Sequence, residues 1–247
     1  MTQEKPSSKN ASSQRGYDFV RNDIDSYPLA TRIVYNFVAF VVWVFSSIAW
    51  PTKVEGMDEF AGHVREHGSV IVMNHTSMVE PVVFIVALWR RHIRVRPIYK
   101  AEFEKIGAAK WLFRRMGGIP VDRGSADLKA LKAARDALGR GECVLIYPEG
   151  TRIKDDDQPI KIHGGFAMIA QMGKSDVPPA AVVGAADPYK TRTTRRRKPK
   201  IRFGQPISFD ELPGSSRKEK LAEMERVAME RVYALRDALR AENPGLW

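Results

Sequence analysis

The chain has 247 residues, of which 44% are hydrophobic; this suits one large α/β domain, alone or with a small appendage, and is enough to bury a core. Its 40 Lys and Arg outnumber 29 Asp and Glu, giving a formal net charge of +11, which predicts an anionic partner: nucleic acid, an anionic lipid surface, or an acidic or phosphorylated substrate. The single cysteine, Cys143, excludes an internal disulfide bond and fits a reducing compartment.

The first 28 residues are polar and rich in serine. They contain no apolar stretch of the kind found in a secretory signal. We therefore expect residues 1–28 to form a flexible tail.

Residues 29–52 are predicted to form a membrane-associated helix. Their centre, "IVYNFVAFVVWVFSSIAW" at 33–50, carries no charge and is roughly 18 residues long, just enough to cross the hydrocarbon core of a bilayer. A segment that is apolar on all sides favours a membrane, with a buried core helix as the alternative. Pro51 ends the segment, and its marginal length also permits a helix lying in one leaflet.

Short apolar runs then alternate with amphipathic stretches. Strands are predicted at residues 69–75, 93–100, 118–123, 142–150, 179–186 and 200–207. Helices are predicted at residues 81–91, 104–116, 125–138, 165–173 and 216–242. The alternation predicts an α/β fold with a mixed, largely parallel sheet flanked by helices, preceded by the N-terminal membrane-associated apolar helix. The apolar stripe of the C-terminal helix predicts that it packs on the sheet.

Unusual polar clusters follow several predicted strands. The three clusters are His75 after 69–74, Asp122–Arg123 after 118–121 and Pro148–Arg152 after 142–147, and Lys100, which ends a predicted strand, is a weaker candidate for anion binding. Ligands of α/β sheets bind at the carboxyl ends of strands, so these residues are the candidate site.

His75 and Glu80 allow three interpretations. Ser77-x-x-Glu80 matches a capping box at the start of a helix, and a His/Glu metal site is a weak third option because no further ligand has recognisable spacing. Pro81 fits best at the first helical position, which leaves 75–80 as a turn on which the two side chains can meet. A carboxylate on one imidazole nitrogen would then leave the other free to take a proton from a hydroxyl.

Four stretches, "NHTSMVE", "GGIPVDRG", "YPEGTR" and "VPPAAVVG", occur in this order. They resemble the four ordered motifs of the glycerolipid acyltransferases that acylate 1-acyl-glycerol-3-phosphate and related lysophospholipids, over residues 50 to 210. The family usually has Asp where this chain has Glu80, and a Lys-Gly after the third motif where His163 and Gly164 stand, with Lys161 nearby. Residues 53–247 would then be the acyltransferase domain, including the long C-terminal helix.

The resemblance implies roles for the candidate residues. His75 would be the general base and Glu80 its orienting partner, with direct attack of the acceptor hydroxyl on a thioester. That reaction needs no acyl-enzyme, metal or bound cofactor, so Cys143 is expected to be an inert core thiol. Phosphate binding is assigned to the group Lys100, Arg123, Glu149, Gly150, Thr151 and Arg152, within which Glu149 is expected to hold the loop. Surface or structural ion pairs of the same arginines are the alternative.

The resemblance also implies partners and a location. The donor would be acyl-CoA or an acyl carrier protein, and the acceptor lysophosphatidic acid, with another lysophospholipid or a glycolipid as the alternative. "KTRTTRRRKPKIR" at 190–202 holds eight basic residues and no acid. It has no interleaved aromatics, which makes nucleic acid unlikely and favours contact with an anionic membrane surface or an acidic acyl carrier protein, with a solvated loop that has no partner as the alternative. The expected location is the cytoplasmic face of a membrane, as a monotopic protein or with a single short anchor. A non-catalytic protein that binds anionic lipid or nucleic acid is the rival class.

Overall fold

The computed structural model describes residues 17–64, 67–122, 127–185 and 198–246. The strands are β1 (Lys53–Glu55), β2 (Val70–Met73), β3 (Val95–Lys100), β4 (Ile119–Val121), β5 (Cys143–Ile146), β6 (Pro179–Val183) and β7 (Lys200–Phe203). The α-helices are α1 (Leu29–Ala49), α2 (Met57–Val64), α3 (Glu80–Trp89), α4 (Gly107–Arg115), α5 (Leu128–Leu138), α6 (Gly165–Gly173) and α7 (Arg217–Glu242). Every strand and helix predicted from the sequence is present. Helix α6 has the predicted bounds, α3 begins one residue earlier than predicted, and the other elements are shorter. Strand β1 and helix α2 were not predicted.

The strands form one sheet in the order β1-β7-β6-β2-β5-β3-β4. Strands β6, β2, β5, β3 and β4 run parallel to one another, β7 runs antiparallel to β6, and β1 runs parallel to β7. The predicted mixed, largely parallel sheet is therefore confirmed. The central strands β2 and β5 are buried along their whole length, as expected for strands covered on both faces.

Each face of the sheet has its own hydrophobic core. Along β2, Val70 and Val72 pack with α5, α6 and α7, whereas Ile71 and Met73 pack with α2 and α3. This alternation follows from the two-residue period of a strand. Helix α7 begins with a capping box between Ser216 and Glu219 and packs on the sheet, as predicted.

The segment 17–28 differs from the expected flexible tail. Ile24 and Tyr27 are buried, and the fully buried guanidinium of Arg96 donates to main-chain carbonyls of Phe19, Val20 and Asn22. Arg96 also pairs with Glu142, at 2.7 Å from Nε to Oε2. A buried guanidinium has five N–H donors that need acceptors, and this segment supplies several. Residues 1–16 lie outside the described residues.

Helix α1 has the length and apolar composition needed to cross a membrane. It packs along α3, where Trp89 Nε1 donates to Asn36 Oδ1 at 3.0 Å, but only Tyr35, Ala39 and Ser46 are buried. Large apolar side chains face outward from the rest of the helix: Leu29, Ile33, Val34, Phe37, Phe40, Val41, Val44, Phe45 and Ile48. That exposure does not fit the alternative of a buried core helix.

Candidate active site

The candidate site begins where β2 ends. Asn74 is buried, and its amide exchanges two hydrogen bonds with the main chain of Val182 in β6, at 2.9 and 2.8 Å. This pairing fixes the end of β2 against its neighbour. His75 follows at once, at the edge of the sheet where the parallel strands have their carboxyl ends.

The side chains of His75 and Glu80 meet, as expected for a turn. Nδ1 of His75 is hydrogen-bonded to Oε1 of Glu80, which is fully buried. The same carboxylate accepts from the N–H groups of Thr76 and Ser77, at 2.9 and 3.1 Å, and bonds the Thr76 hydroxyl at 2.8 Å. Because the carboxylate is held as an acceptor, Nδ1 carries the hydrogen of a neutral His75 and Nε2 keeps its lone pair.

The start of α3 explains why the turn forms. Helix α3 begins at Glu80, so Pro81 is its second residue and not its first, as the sequence suggested. Residues 75–79 remain outside the helix. The Ser77 hydroxyl accepts from the Val79 N–H at 2.8 Å. Only one of the two bonds of a capping box is therefore present, the one from the Ser77 N–H to Glu80.

The loop 147–153 after β5 encloses His75. Glu149 Oε2 accepts the main-chain N–H of His75 at 2.6 Å, and the Ile153 N–H donates to the His75 carbonyl at 2.7 Å. The ring of Tyr147 lies against the imidazole, with 4.3 Å between ring centroids. The third sequence motif thus holds the backbone and the ring of the first.

Glu149 is nearly fully buried, with 3% of its surface exposed. Its Oε1 accepts the hydroxyl of Tyr233 from α7 at 3.2 Å. Burial raises the pKa of Glu149 to about 7, against the lowering effect of the His75 and Tyr233 bonds. These two contacts connect the loop 147–153 to the His75 main chain and to α7. Tyr233 was not predicted, since nothing in its local sequence marks it.

The other described residues of the predicted phosphate-binding group, which are Lys100, Gly150, Thr151 and Arg152, lie at the same edge of the sheet. Gly150 turns the chain at φ +66, and its N–H donates to the Tyr147 carbonyl at 3.0 Å; this N–H, expected to face an anion, instead helps close the turn. Thr151 is exposed and Arg152 is half-buried. Lys100 ends β3 opposite Val121 of β4.

Parts of the predicted anion-binding surface lie outside the described residues. They are Arg123 and positions 190–197 of the basic tract. Within the described part of the tract, Arg202 pairs with Glu55 at 2.6 Å and with Glu242 at 2.5 Å. Its charge therefore joins β7 to β1 and α7.

Cys143 is buried in β5, and burial raises the pKa of its thiol to about 12. A thiol that stays protonated is a poor nucleophile. Across the four described ranges, no three His, Cys, Asp or Glu side chains are grouped as a metal site.

A family model described as "Acyltransferase" matches residues 52–183. The chain belongs to the acyltransferase family. The matched range contains the first three sequence motifs, the fourth up to Val183, the His75 turn and the loop after β5. Helix α1 and helix α7, which carries Tyr233, lie outside it.

Curated relatives and a solved structure are similar to this acyltransferase. It is 27% identical to the 1-acyl-sn-glycerol-3-phosphate acyltransferase of Bacillus subtilis, over 83% of this chain and 98% of the relative. It is 29% identical to the protein of that name from Streptococcus pneumoniae, over 73% of this chain and 65% of the relative. The crystal structure of the 1-acyl-sn-glycerophosphate (LPA) acyltransferase PlsC from Thermotoga maritima superposes with a TM-score of 0.55, at 20% identity, over 85% of this chain and 84% of the other. That likeness supports the fold.

Proposed function

We propose that this acyltransferase moves a fatty acyl chain from a thioester, acyl-CoA or acyl carrier protein, to the free hydroxyl of 1-acyl-glycerol-3-phosphate, giving phosphatidic acid. The observation that carries the proposal is the bond from His75 Nδ1 to the buried carboxylate of Glu80. The names of the relatives supply the acceptor class.

The chemistry starts from neutral His75. Nε2 takes the proton of the acceptor hydroxyl as its oxygen attacks the thioester carbonyl, and Glu80 stabilises the imidazolium that forms. The tetrahedral intermediate collapses, the carbon–sulfur bond breaks, and His75 returns the proton to the leaving thiolate. The acyl chain passes directly to the acceptor, which is compatible with a buried, protonated Cys143.

The acceptor phosphate is assigned to the open side of the site. Arg152, Thr151 and Lys100 lie at the carboxyl edge of the sheet with His75, and Arg123 follows β4 in sequence. Guanidinium groups bind phosphate oxygens in pairs. Glu149 contributes by holding the His75 main chain.

The location proposed is a membrane surface at its cytoplasmic face. The apolar, exposed face of α1 supports a monotopic or single-anchor attachment. The basic residues of 190–202 support attachment to an anionic surface. Arg202 is not counted among them, because Glu55 and Glu242 neutralise its charge within the fold.

A second candidate keeps the chemistry and changes the acceptor to another lysophospholipid or a glycolipid. The observations that favour it are Glu80 in place of the usual Asp, and His163 in place of the usual Lys.

The test is an acyl-transfer assay on the purified protein with a panel of lysolipid acceptors and both donor types. The His75→Ala variant is expected to lose at least about 100-fold of the rate with the best acceptor, because the general base is removed. His67→Ala is the matched control, since His67 is exposed and precedes the opposite end of β2. Full transfer by His75→Ala rejects the mechanism, and no transfer by the wild type to any acceptor favours the non-catalytic class.

A further inference from the structure

Helix α4 is poorly covered by the other residues that the structure describes. None of its residues is buried. Trp111 is 48% exposed and Leu112 39%, and Ile106, just before the helix, is 59% exposed. A nine-residue helix is too short to be stable in water by itself, so it needs an apolar surface to pack on. Phe113 supplies one contact, with its ring 4.7 Å from that of Tyr99 in β3.

Two basic side chains, Lys110 and Arg115, lie beside this apolar surface. The Arg115 guanidinium lies over the Trp111 ring at 4.5 Å and over the Phe19 ring at 5.0 Å. Lys110 and Arg115 also line a cavity of about 390 Å³ between α4 and the segment that begins at Tyr17. Aromatic and aliphatic side chains edged by Lys and Arg, whose stems reach toward the head groups, are typical of helices that lie in a membrane interface.

Helix α4 lies on the same face of the sheet as α1. The connections β2–α3–β3 and β3–α4–β4 both lead from the centre of the sheet toward its β4 edge. Right-handed crossovers that run in the same direction place their helices on the same face of the sheet. The contact of α4 with Tyr99 agrees, because Tyr99 shares its strand face with Val95, which packs in the α3 core. Helix α1 covers α3 from outside.

We propose that α4 is a second membrane contact, which lies in the head-group region of an anionic bilayer while α1 is embedded. The first residues of α4 follow Lys100 through one short 3-10 turn, Ala101–Lys105, so this contact lies beside the sheet edge that carries His75. An amphiphilic acceptor in the interface would then meet the site without leaving the bilayer. The proposal concerns the placement of the chain and is independent of the acceptor and of the catalytic roles.

The test uses a fluorescent thiol label at Leu112→Cys. Cys143 is fully buried with a protonated thiol, so the introduced cysteine is labelled selectively. Met168→Cys is the matched control, since Met168 is 38% exposed against 39% for Leu112 and lies on α6, on the opposite face of the sheet. Both labelled proteins are mixed with vesicles of phosphatidylcholine, alone or with phosphatidylglycerol, containing a lipid that carries a quencher near the head group.

We expect quenching and a blue shift at position 112 and neither at position 168, with at least two-fold more quenching at 112 on the anionic vesicles. Adding Lys110→Gln and Arg115→Gln to the Leu112→Cys protein should remove the additional quenching seen on anionic vesicles. Circular dichroism then checks that this variant is folded, and vesicle flotation checks that it is still attached through α1. Equal quenching at 112 and 168 overturns the proposal. A blue-shifted emission of the label at position 112 before any vesicles are added also overturns the proposal, because it would assign this surface to a second copy of the chain.

Discussion

Two buried carboxylates contact His75, Glu80 at its ring and Glu149 at its main chain, and their surroundings differ. Glu80, in the turn 75–80, is bonded by Thr76 and Ser77 as well as by the imidazole. Glu149, in the loop 147–153, has two donors in the described structure, the His75 N–H and the Tyr233 hydroxyl. Fewer hydrogen bonds therefore offset the loss of water around Glu149 than around Glu80, and burial raises the pKa of Glu149 to about 7. One carboxylate therefore has donors in place of water and faces the imidazole ring, whereas the other holds the main chain.

The sharpest way to break this comparison is Glu80→Gln. The amide can donate to Nδ1, which would place the hydrogen of His75 on Nε2 and remove the base. We expect kcat to fall by about 10³-fold, within the range for loss of general-base catalysis, with little change in thermal stability. Glu230→Gln is the control, since Glu230 forms an exposed pair with Arg226 on α7. Activity of Glu80→Gln within three-fold of the wild type would contradict the role assigned to the carboxylate.

Shortening the same side chain tests the geometry. From the sequence alone we expect Glu80→Asp to keep or raise activity, because it restores the residue usual in the family. The contacts of Glu80 favour the opposite prediction: Glu80 starts α3 and reaches back to three residues, and losing one methylene withdraws its carboxylate by about 1.5 Å. We expect kcat to fall by about 10-fold. Undiminished kcat would show that the turn readjusts and that the extra methylene is not required.

The site divides into a part that the sequence reveals and a part that it hides. His75, Glu80 and the loop 148–152 follow predicted strands, so their meeting at one edge follows from the parallel topology. Tyr233 and Arg96 could not be found this way, because their partners are set by how distant segments pack. Strand β1 and helix α2 are too short to show a clear hydrophobic period in the sequence. The burial of Ile24 and Tyr27 was also missed, because the segment that contains them is held by main-chain carbonyls that accept from Arg96, and the sequence does not show this contact.

Glu149→Gln tests the second carboxylate through the pH dependence of stability. The pKa of Glu149 is about 7 in the folded protein, against an ordinary value of 4.5, so the fold favours the protonated form. The wild type therefore loses stability as pH rises from 4.5 to 7, by on the order of 3 kcal/mol, and the loss is constant above pH 7. Glutamine stays neutral and can still accept the His75 N–H.

We expect the melting temperature of Glu149→Gln, relative to the wild type, to rise across that pH range by several degrees, with kcat changed by only a few-fold. Differential scanning fluorimetry at pH 4.5, 6 and 7.5 measures the first effect. A melting-temperature difference that does not change with pH would show that Glu149 is ionised in the fold throughout this range.

Tyr233→Phe gives the smallest effect and the finest distinction. It removes one of the two donors to Glu149, which lowers the free energy of unfolding by about 1 kcal/mol. Because that bond lowers the pKa of Glu149, its loss raises this pKa above 7. The pH range over which stability falls, called the pH window below, then extends above 7. We expect kcat to fall about two-fold with KM unchanged, because the loop still reaches the His75 main chain. Tyr99→Phe is the matched control: its hydroxyl donates to Glu104 at 3.1 Å, away from the imidazole. The control should lower stability without shifting the pH window or kcat. If both variants behave alike, α7 supports the fold as a whole and has no specific connection to His75.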